Sequence, residues 1–299
     1  MERCDFLPVS AEEMHERGWW WYDALVVGGD AYVDHPSFGT AVISRVLEAE
    51  GLRVAVLAQP DWHDAEAFRA MGRPRLGVFI GAGNLDSMVA HYTAAKRRRS
   101  EDFYSPGKRS GCRPDRAAIV YCNRAREAFG PDMPIILGSL EASLRRFAHY
   151  DYWDDSVRRA ILFDAPADLL VYGMGEAATI EIAHRLKKKQ SVRTMTDIPG
   201  TGYITRDPSV CKFDHITLPS FEDVRDDKRL YAEATRTEYA EHDPIRGRAM
   251  IQPCEGRYLI INPPAMPLDT KELDRVAELP YTREVHPMYE ALGGVPAIE

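Results

Sequence analysis

The sequence holds 299 residues with a formal net charge of −8, 45% hydrophobic and 28% charged residues, a globular balance that excludes an intrinsically disordered chain. The net negative charge disfavours nucleic acid or an anionic membrane surface as the main partner. The longest apolar stretch, residues 19–27 with Asp23 inside it, falls well short of the ~20 residues a spanning helix needs, and Glu2, Arg3 and Asp5 replace the apolar core of a secretory signal, so no membrane partner and a cytoplasmic location are expected.

In chain order, Ala24-Leu25-Val26-Val27 reads as a buried strand. A turn carrying Asp30, Asp34 and His35 follows, with Ser37 placed to cap a helix that Gly51 ends. The pattern then predicts a strand at 53–57, a short helix at 64–71, a strand at 76–80, and a helix at 85–96. Residues 99–114 form a polar loop, followed by a helix at 115–129, strands at 134–137 and 168–172, and a helix at 176–189. The basic runs Lys96-Arg97-Arg98-Arg99 and Lys187-Lys188-Lys189 fall in the last turns of predicted helices, where cations face water and offset the carbonyl end of the dipole.

Five strands alternating with helices predict an α/β, Rossmann-like (cobalamin-binding or flavodoxin-like) domain over residues 1–190, a five-stranded parallel sheet with helices on both faces. Residues 191–299 read as an irregular extension and linker, with one polar helix at 221–242 and one strand at 257–261.

In open parallel sheets, ligands sit at the carboxyl ends of the strands. Four of the five ends here carry glycines, at Gly28-Gly29, Gly81-Ala82-Gly83, Gly138 and Gly173-Met174-Gly175, read as room for close backbone approach. The polar residues on that face are Asp30, Asp34, His35, Asn84, Asp86, Glu141, His149, Asp151 and Glu176. Glu141 and Arg145 are spaced as a helical i,i+4 pair within the charged and aromatic stretch 138–159.

A metal-dependent hydrolase would enlist Asp30, His35, Asp61, His63, His149 and Asp151, although no H-x-H, H-E-x-x-H or D-x-D spacing joins two of them. The corrinoid motif D-x-H-x-x-G fails, because Val33 stands two residues before His35 and Gly39 four after it. Gly28-Gly29-Asp30 also lacks the dinucleotide fingerprint G-x-G-x-x-G. Cys4, Cys112, Cys122, Cys211 and Cys254 are scattered, with no C-x-x-C pair, which argues against a disulfide framework or a metal cluster built from this chain alone.

The segments GDAYVDHPSFG, AQPDW, GNLDSM, RPDRAAIVY, ILGSLEASLRRFAHYDYWDDSVRR, ADLLVYGMGE and NPPAMPL occur in order along the chain. Together they resemble the amino-terminal region of YgiQ-type radical SAM proteins. The resemblance implies a Rossmann-like region that precedes and covers a barrel, the expected partner, together with an unknown substrate. In the intact protein, a C-x3-C-x2-C triplet would hold a four-iron, four-sulfur cluster that cleaves S-adenosylmethionine. This sequence has no such triplet, so neither cofactor is expected on this chain, which reads as a truncated or split piece not active alone. On that reading the nine polar residues bind substrate and exclude water, and none generates the radical. The alternatives are a module holding cobalamin or another flat cofactor without the histidine motif, and the metal hydrolase.

Overall fold

Ala24–Gly28 (β1) is buried along its whole length, as expected of a central parallel strand with helices on both faces. The computed structural model, which describes residues 5–298, continues with β2 (Val54–Ala58), β3 (Gly77–Ile80) and β4 (Ile135–Leu137). A hairpin, β5 (His149–Asp151) and β6 (Ser156–Arg158), stands apart from the main sheet, and β7 (Leu169–Val171) rejoins it. The five strands β2-β1-β3-β4-β7 are parallel neighbours in that order, the doubly wound arrangement of flavodoxin-like sheets.

Period-two alternation divides each strand between two helical layers. Leu25, Val27, Val78 and Ile80 pack with Tyr121, Cys122 and Ala125 of α5 (Ala117–Phe129) and with Phe68 of α3 (Glu66–Arg69). Val26, Phe79 and Ile136 face the opposite layer, with Ala41 and Leu47 of α2 (Gly39–Ala49) and Ile182 and Leu186 of α7 (Glu176–Lys187). The remaining helices of this half are α1 (Ala11–Glu16), α4 (Ser87–His91) and α6 (Ser139–Leu144).

The expected five-stranded sheet is corrected to nine strands. Between residues 191 and 299, β8 (Thr201–Thr205), β9 (His215–Thr217), β10 (Ala249–Cys254) and β11 (Arg257–Ile261) extend the same sheet in the order β7-β8-β11-β10-β9, so this part is not irregular throughout. β8 pairs antiparallel to β7, and the connection between them carries α7. Pro253 hides β10 from a sequence reading. It is tolerated because β9 pairs only with Ala249, Met250 and Ile251, leaving Pro253 with β11 alone as neighbour.

Two predicted helices also change. The polar helix at 221–242 is two, α8 (Phe221–Asp226) and α9 (Lys228–Ala240), broken at Asp227, whose extended backbone and side chain cap α9 through the Arg229 amide. The predicted helix at 85–96 stops at His91, so the run Lys96–Arg99 is an exposed turn beyond a helix rather than its last turn. Lys187–Lys189 does close α7 and is exposed.

After β11 and α10 (Thr270–Ala277) the chain returns to the turn that follows β1. The amide of Asp34 donates to the Glu284 carbonyl at 3.1 Å, that of His286 to the Tyr32 carbonyl at 3.1 Å, and that of Tyr32 to Tyr289 Oη at 3.1 Å. At the outer edge of the parallel half, the Val56 amide of β2 donates to the Pro8 carbonyl at 2.9 Å.

Candidate functional site

The parallel register brings the carboxyl ends of β1, β3, β4 and β7 side by side. A cavity of about 320 Å³ opens there, on the α2 and α7 side of the sheet. Its floor is Val26, Phe79, Ile136 and Val171, one residue from each of four neighbouring strands. Ile43 and Thr40 of α2 form one wall, Glu176 and Thr179 of α7 the other, and Ser139 and Met174 stand at the strand ends. Glu176 is the first residue of α7, where a carboxylate suits the positive end of the helix. Its Oε2 has no accessible surface and no hydrogen-bond partner.

The glycines beside this cavity largely serve the protein's own packing, which corrects their reading as room for a ligand. A Cβ on Gly29 would lie 1.9 Å from the Ala82 carbonyl oxygen, and one on Gly28 2.6 Å from Thr40 Oγ1. Gly83, at φ +109°, would place a Cβ 2.3 Å from Asp30 Oδ1.

Asp30, Asn84, Asp86 and Glu141 do converge at the ends of β1, β3 and β4, as supports. Asp30 accepts from the Asn84 amide at 2.6 Å and from Arg113 Nη1 at 2.7 Å. Arg113 Nη2 reaches Asp102 at 2.8 Å, and Asp102 accepts from Ser105 Oγ at 2.8 Å. Burial pushes the Asp30 carboxyl up to about 6, against the pull of Arg113. Asp86 caps α4 and pairs with Arg145. Glu141 is fully buried and accepts from the amides of Ser87 at 2.8 Å and Ala118 at 3.0 Å, tying together the starts of α4 and α5. The expected ion pair between Glu141 and Arg145 is therefore replaced by one between Asp86 and Arg145.

Ser37 does not cap α2. Its Oγ meets His35 Nδ1 at 2.7 Å, while the Gly39 amide donates to Asn84 Oδ1 at 3.2 Å and Asn84 Nδ2 donates to the Ser37 carbonyl at 3.0 Å. Asp34 is fully buried and accepts from Arg45 Nε at 3.1 Å and from the Thr282 amide at 2.9 Å. His149 and Asp151 lie on the β5–β6 hairpin and do not line the cavity. His149 Nδ1 meets the Phe147 carbonyl at 3.0 Å, and burial lowers its pKa. Burial raises the Asp151 carboxyl, but Arg116 Nη2 at 3.0 Å and the Trp153 amide at 2.8 Å prevail and hold it below its ordinary value.

Of the nine predicted site residues, Glu176 alone lines the cavity. Sequence reasoning missed Thr179, although it stands three positions after Glu176 and so on the same helix face. It also missed the arginines, because Arg113 and Arg145 meet carboxylates 83 and 59 positions away.

The Radical SAM N-terminal family profile matches residues 6–299. The chain belongs to this family. A UPF0313 protein of Clostridium botulinum (strain 657 / Type Ba4) is 54% identical over all 299 residues, which cover 46% of that protein. One from Clostridium perfringens (strain SM101 / Type A) is 52% identical, with 45% of its length covered. The chain thus spans about half the length of the curated relatives it matches. A solved structure of the radical S-adenosylmethionine methyltransferase TsrM from Kitasatospora setae, with tryptophan substrate and a SAM analogue bound, aligns at TM-score 0.40 and 20% identity over 60% of this chain and 28% of that one.

The Radical SAM family implies an iron–sulfur cluster and S-adenosylmethionine in the intact protein, and the cysteines described in this chain do not fit the cluster. Cys122 is sealed inside the α5 core, where burial pushes its thiol far above the usual range, and burial pushes Cys254 up to about 12, whereas cluster ligands are thiolates. Cys4 lies outside the described residues. Among the described residues no three of His, Cys, Asp and Glu are placed to hold a metal ion. Asp61 and His63, enlisted for the hydrolase, pair with each other at 2.6 Å on the surface, where the His63 ring also stacks on Trp62. No helix among the described residues is long and apolar enough to cross a membrane.

Proposed function

We propose that this chain is the amino-terminal accessory unit of a cytoplasmic radical SAM iron–sulfur enzyme, its strand-end face covering the barrel and its cavity holding part of the substrate. The observation that carries this reading is the cavity itself, formed where a parallel sheet offers its strand ends and floored by four apolar side chains. Leu140 and Leu144 of α6 and Met174 after β7 support it, being 45%, 60% and 45% exposed beside that rim, an arrangement that favours a covering partner. Cluster ligation and cleavage of S-adenosylmethionine then belong to the remainder of the longer protein. Here Glu176 meets substrate, His35 and Asn84 shape the α2 entrance, and the buried carboxylates Asp30, Asp34, Asp86 and Glu141 keep the face rigid. His149 and Asp151 extend the covered surface through their hairpin, and the whole face excludes water. Hydrogen exchange tests this: amides of residues 138–144 and 172–176 should exchange more slowly in the full-length C. botulinum relative than in this chain alone. Equal rates in the two would remove the barrel from this face.

A second reading, a module for cobalamin or another flat cofactor, is favoured by the apolar floor of the cavity alone. His35 lacks the D-x-H-x-x-G spacing and does not line the cavity, so on this reading the corrinoid binds without it as lower ligand. Chain incubated with hydroxocobalamin and passed over a desalting column should then retain corrinoid absorbance, and a colourless eluate would end this reading.

A further inference from the structure

We infer that the cavity takes a flat apolar ring bearing a cationic, hydrogen-bond-donating arm, and that the Glu176 carboxylate receives that arm. The assignment rests on the reading of the cavity as a ligand site. The floor explains the ring: Val26, Phe79, Ile136 and Val171 come from adjacent strands of one layer, and Ile43 closes the space from α2. A slot of about 320 Å³ between a sheet and two helices lies in the range of small-molecule sites.

Glu176 explains the charge. Glu176 lines the slot, and a carboxylate beside an apolar space is best matched by a charged donor; its Oε2 is sealed from the cavity, so the arm meets the other oxygen. Thr40 and Thr179, the hydroxyl-bearing walls, can donate or accept and so do not set the sign. The start of α7 also has no side-chain cap, and an open helix start after a glycine-rich turn would ordinarily suit phosphate. At this one a phosphate would face the Glu176 carboxylate, which excludes the anion and leaves the donor. A purely internal explanation also exists, because Tyr281 Oη is likewise buried and unpartnered. Burial, with the charges of Asp34 and Glu176 in reach, pushes that phenol up to about 12. The test separates the two accounts.

Three probes of one shape distinguish the sign: naphthylmethylamine, naphthalenemethanol and naphthoate, titrated into the purified chain by calorimetry, with the Met174 and Ile43 methyl resonances reporting the place of binding. The amine should bind about tenfold or more tighter than the alcohol, with naphthoate weakest. Glu176→Gln should abolish the preference for the amine and leave the alcohol's affinity unchanged, while Tyr281→Phe should keep the preference. Alcohol and naphthoate binding as tightly as the amine, or a preference that survives Glu176→Gln or is lost in Tyr281→Phe, would overturn the role of Glu176 while leaving the cavity as a ligand site. If no probe perturbs Met174 or Ile43, the ligand-site reading falls and this inference with it.

Discussion

Replacing Arg113 with methionine is expected to lower the unfolding free energy by about 3–5 kcal/mol at neutral pH, the cost of breaking a buried ion pair from one side. The Arg113 guanidinium is fully buried between Asp30 and Asp102, whose side chains are 3% and 2% exposed. Methionine fills similar space but leaves two carboxylates of like charge in a site that water does not reach. The same guanidinium fastens the 99–114 loop to the turn after β1 by bridging Asp102 and Asp30, and Ser105, whose Oγ donates to Asp102, accepts from Gln59 Nε2 after β2 at 2.7 Å. Urea denaturation measures the loss.

The pH dependence has a definite sign. Asp30 titrates at about 6 in the folded protein against an ordinary 3.8, so between those values the native state keeps a proton that the unfolded chain releases. Its contribution to stability is fully present below pH 3.8, falls as pH rises through 6, and is constant above. Removing Arg113 raises Asp30 further, so the loss in Arg113→Met should be smaller at pH 5 than at pH 7. Adding Asp30→Asn should recover part of it. A loss that is the same at both values, with no recovery, would show that the two carboxylates do not bear on each other.

Arg45→Met should cost a similar amount, about 3–5 kcal/mol, and should loosen a particular segment. Arg45 projects from α2 into the interior, where Nε meets Asp34 at 3.1 Å, Nη1 meets Glu48 at 2.7 Å and Nη2 donates to the Asp5 carbonyl at 2.9 Å. Asp34 in turn accepts from the Thr282 amide. One cation therefore clamps an amino-terminal residue, α2, the turn after β1 and the returning carboxyl-terminal segment. Trypsin reads this directly, since Arg283 is exposed and directly follows Thr282. Cleavage after Arg283 should accelerate in Arg45→Met, and an unchanged rate would dismiss the clamp.

The five parallel strands were legible because each is a continuous apolar run, even the three-residue β4 and β7, that ends near a glycine or proline, and α2, α5 and α7 because each is long enough to show its period. Strands β8 to β10 were not: β9 has a single apolar residue, Ile216, between His215 and Thr217, β8 follows a proline and glycine turn, and β10 contains Gln252 and Pro253. Their pairing is decided by neighbours distant in sequence, and Gln252 itself is buried because its Oε1 accepts from the Ala148 amide, 104 positions away. The cavity lies where such sheets offer their strand ends, though of the nine residues read onto that face only Glu176 lines it. Their roles were not legible, because an aspartate bound to a buried arginine and a glutamate facing an open slot look alike in one dimension. Asp30 is held by Arg113, which lies 83 positions away, and by the Asn84 amide, 54 positions away.

The hydrogen bond from the Tyr32 amide to Tyr289 Oη spans 257 residues, and it has a consequence for biosynthesis. The turn that frames the α2 wall cannot reach its final geometry on the ribosome until Tyr289 has emerged. Contacts of such long separation form slowly, after local helices and hairpins. The nascent strand β1, apolar along its length, is therefore made long before the turn that follows it is completed, the interval in which a chaperone would matter most.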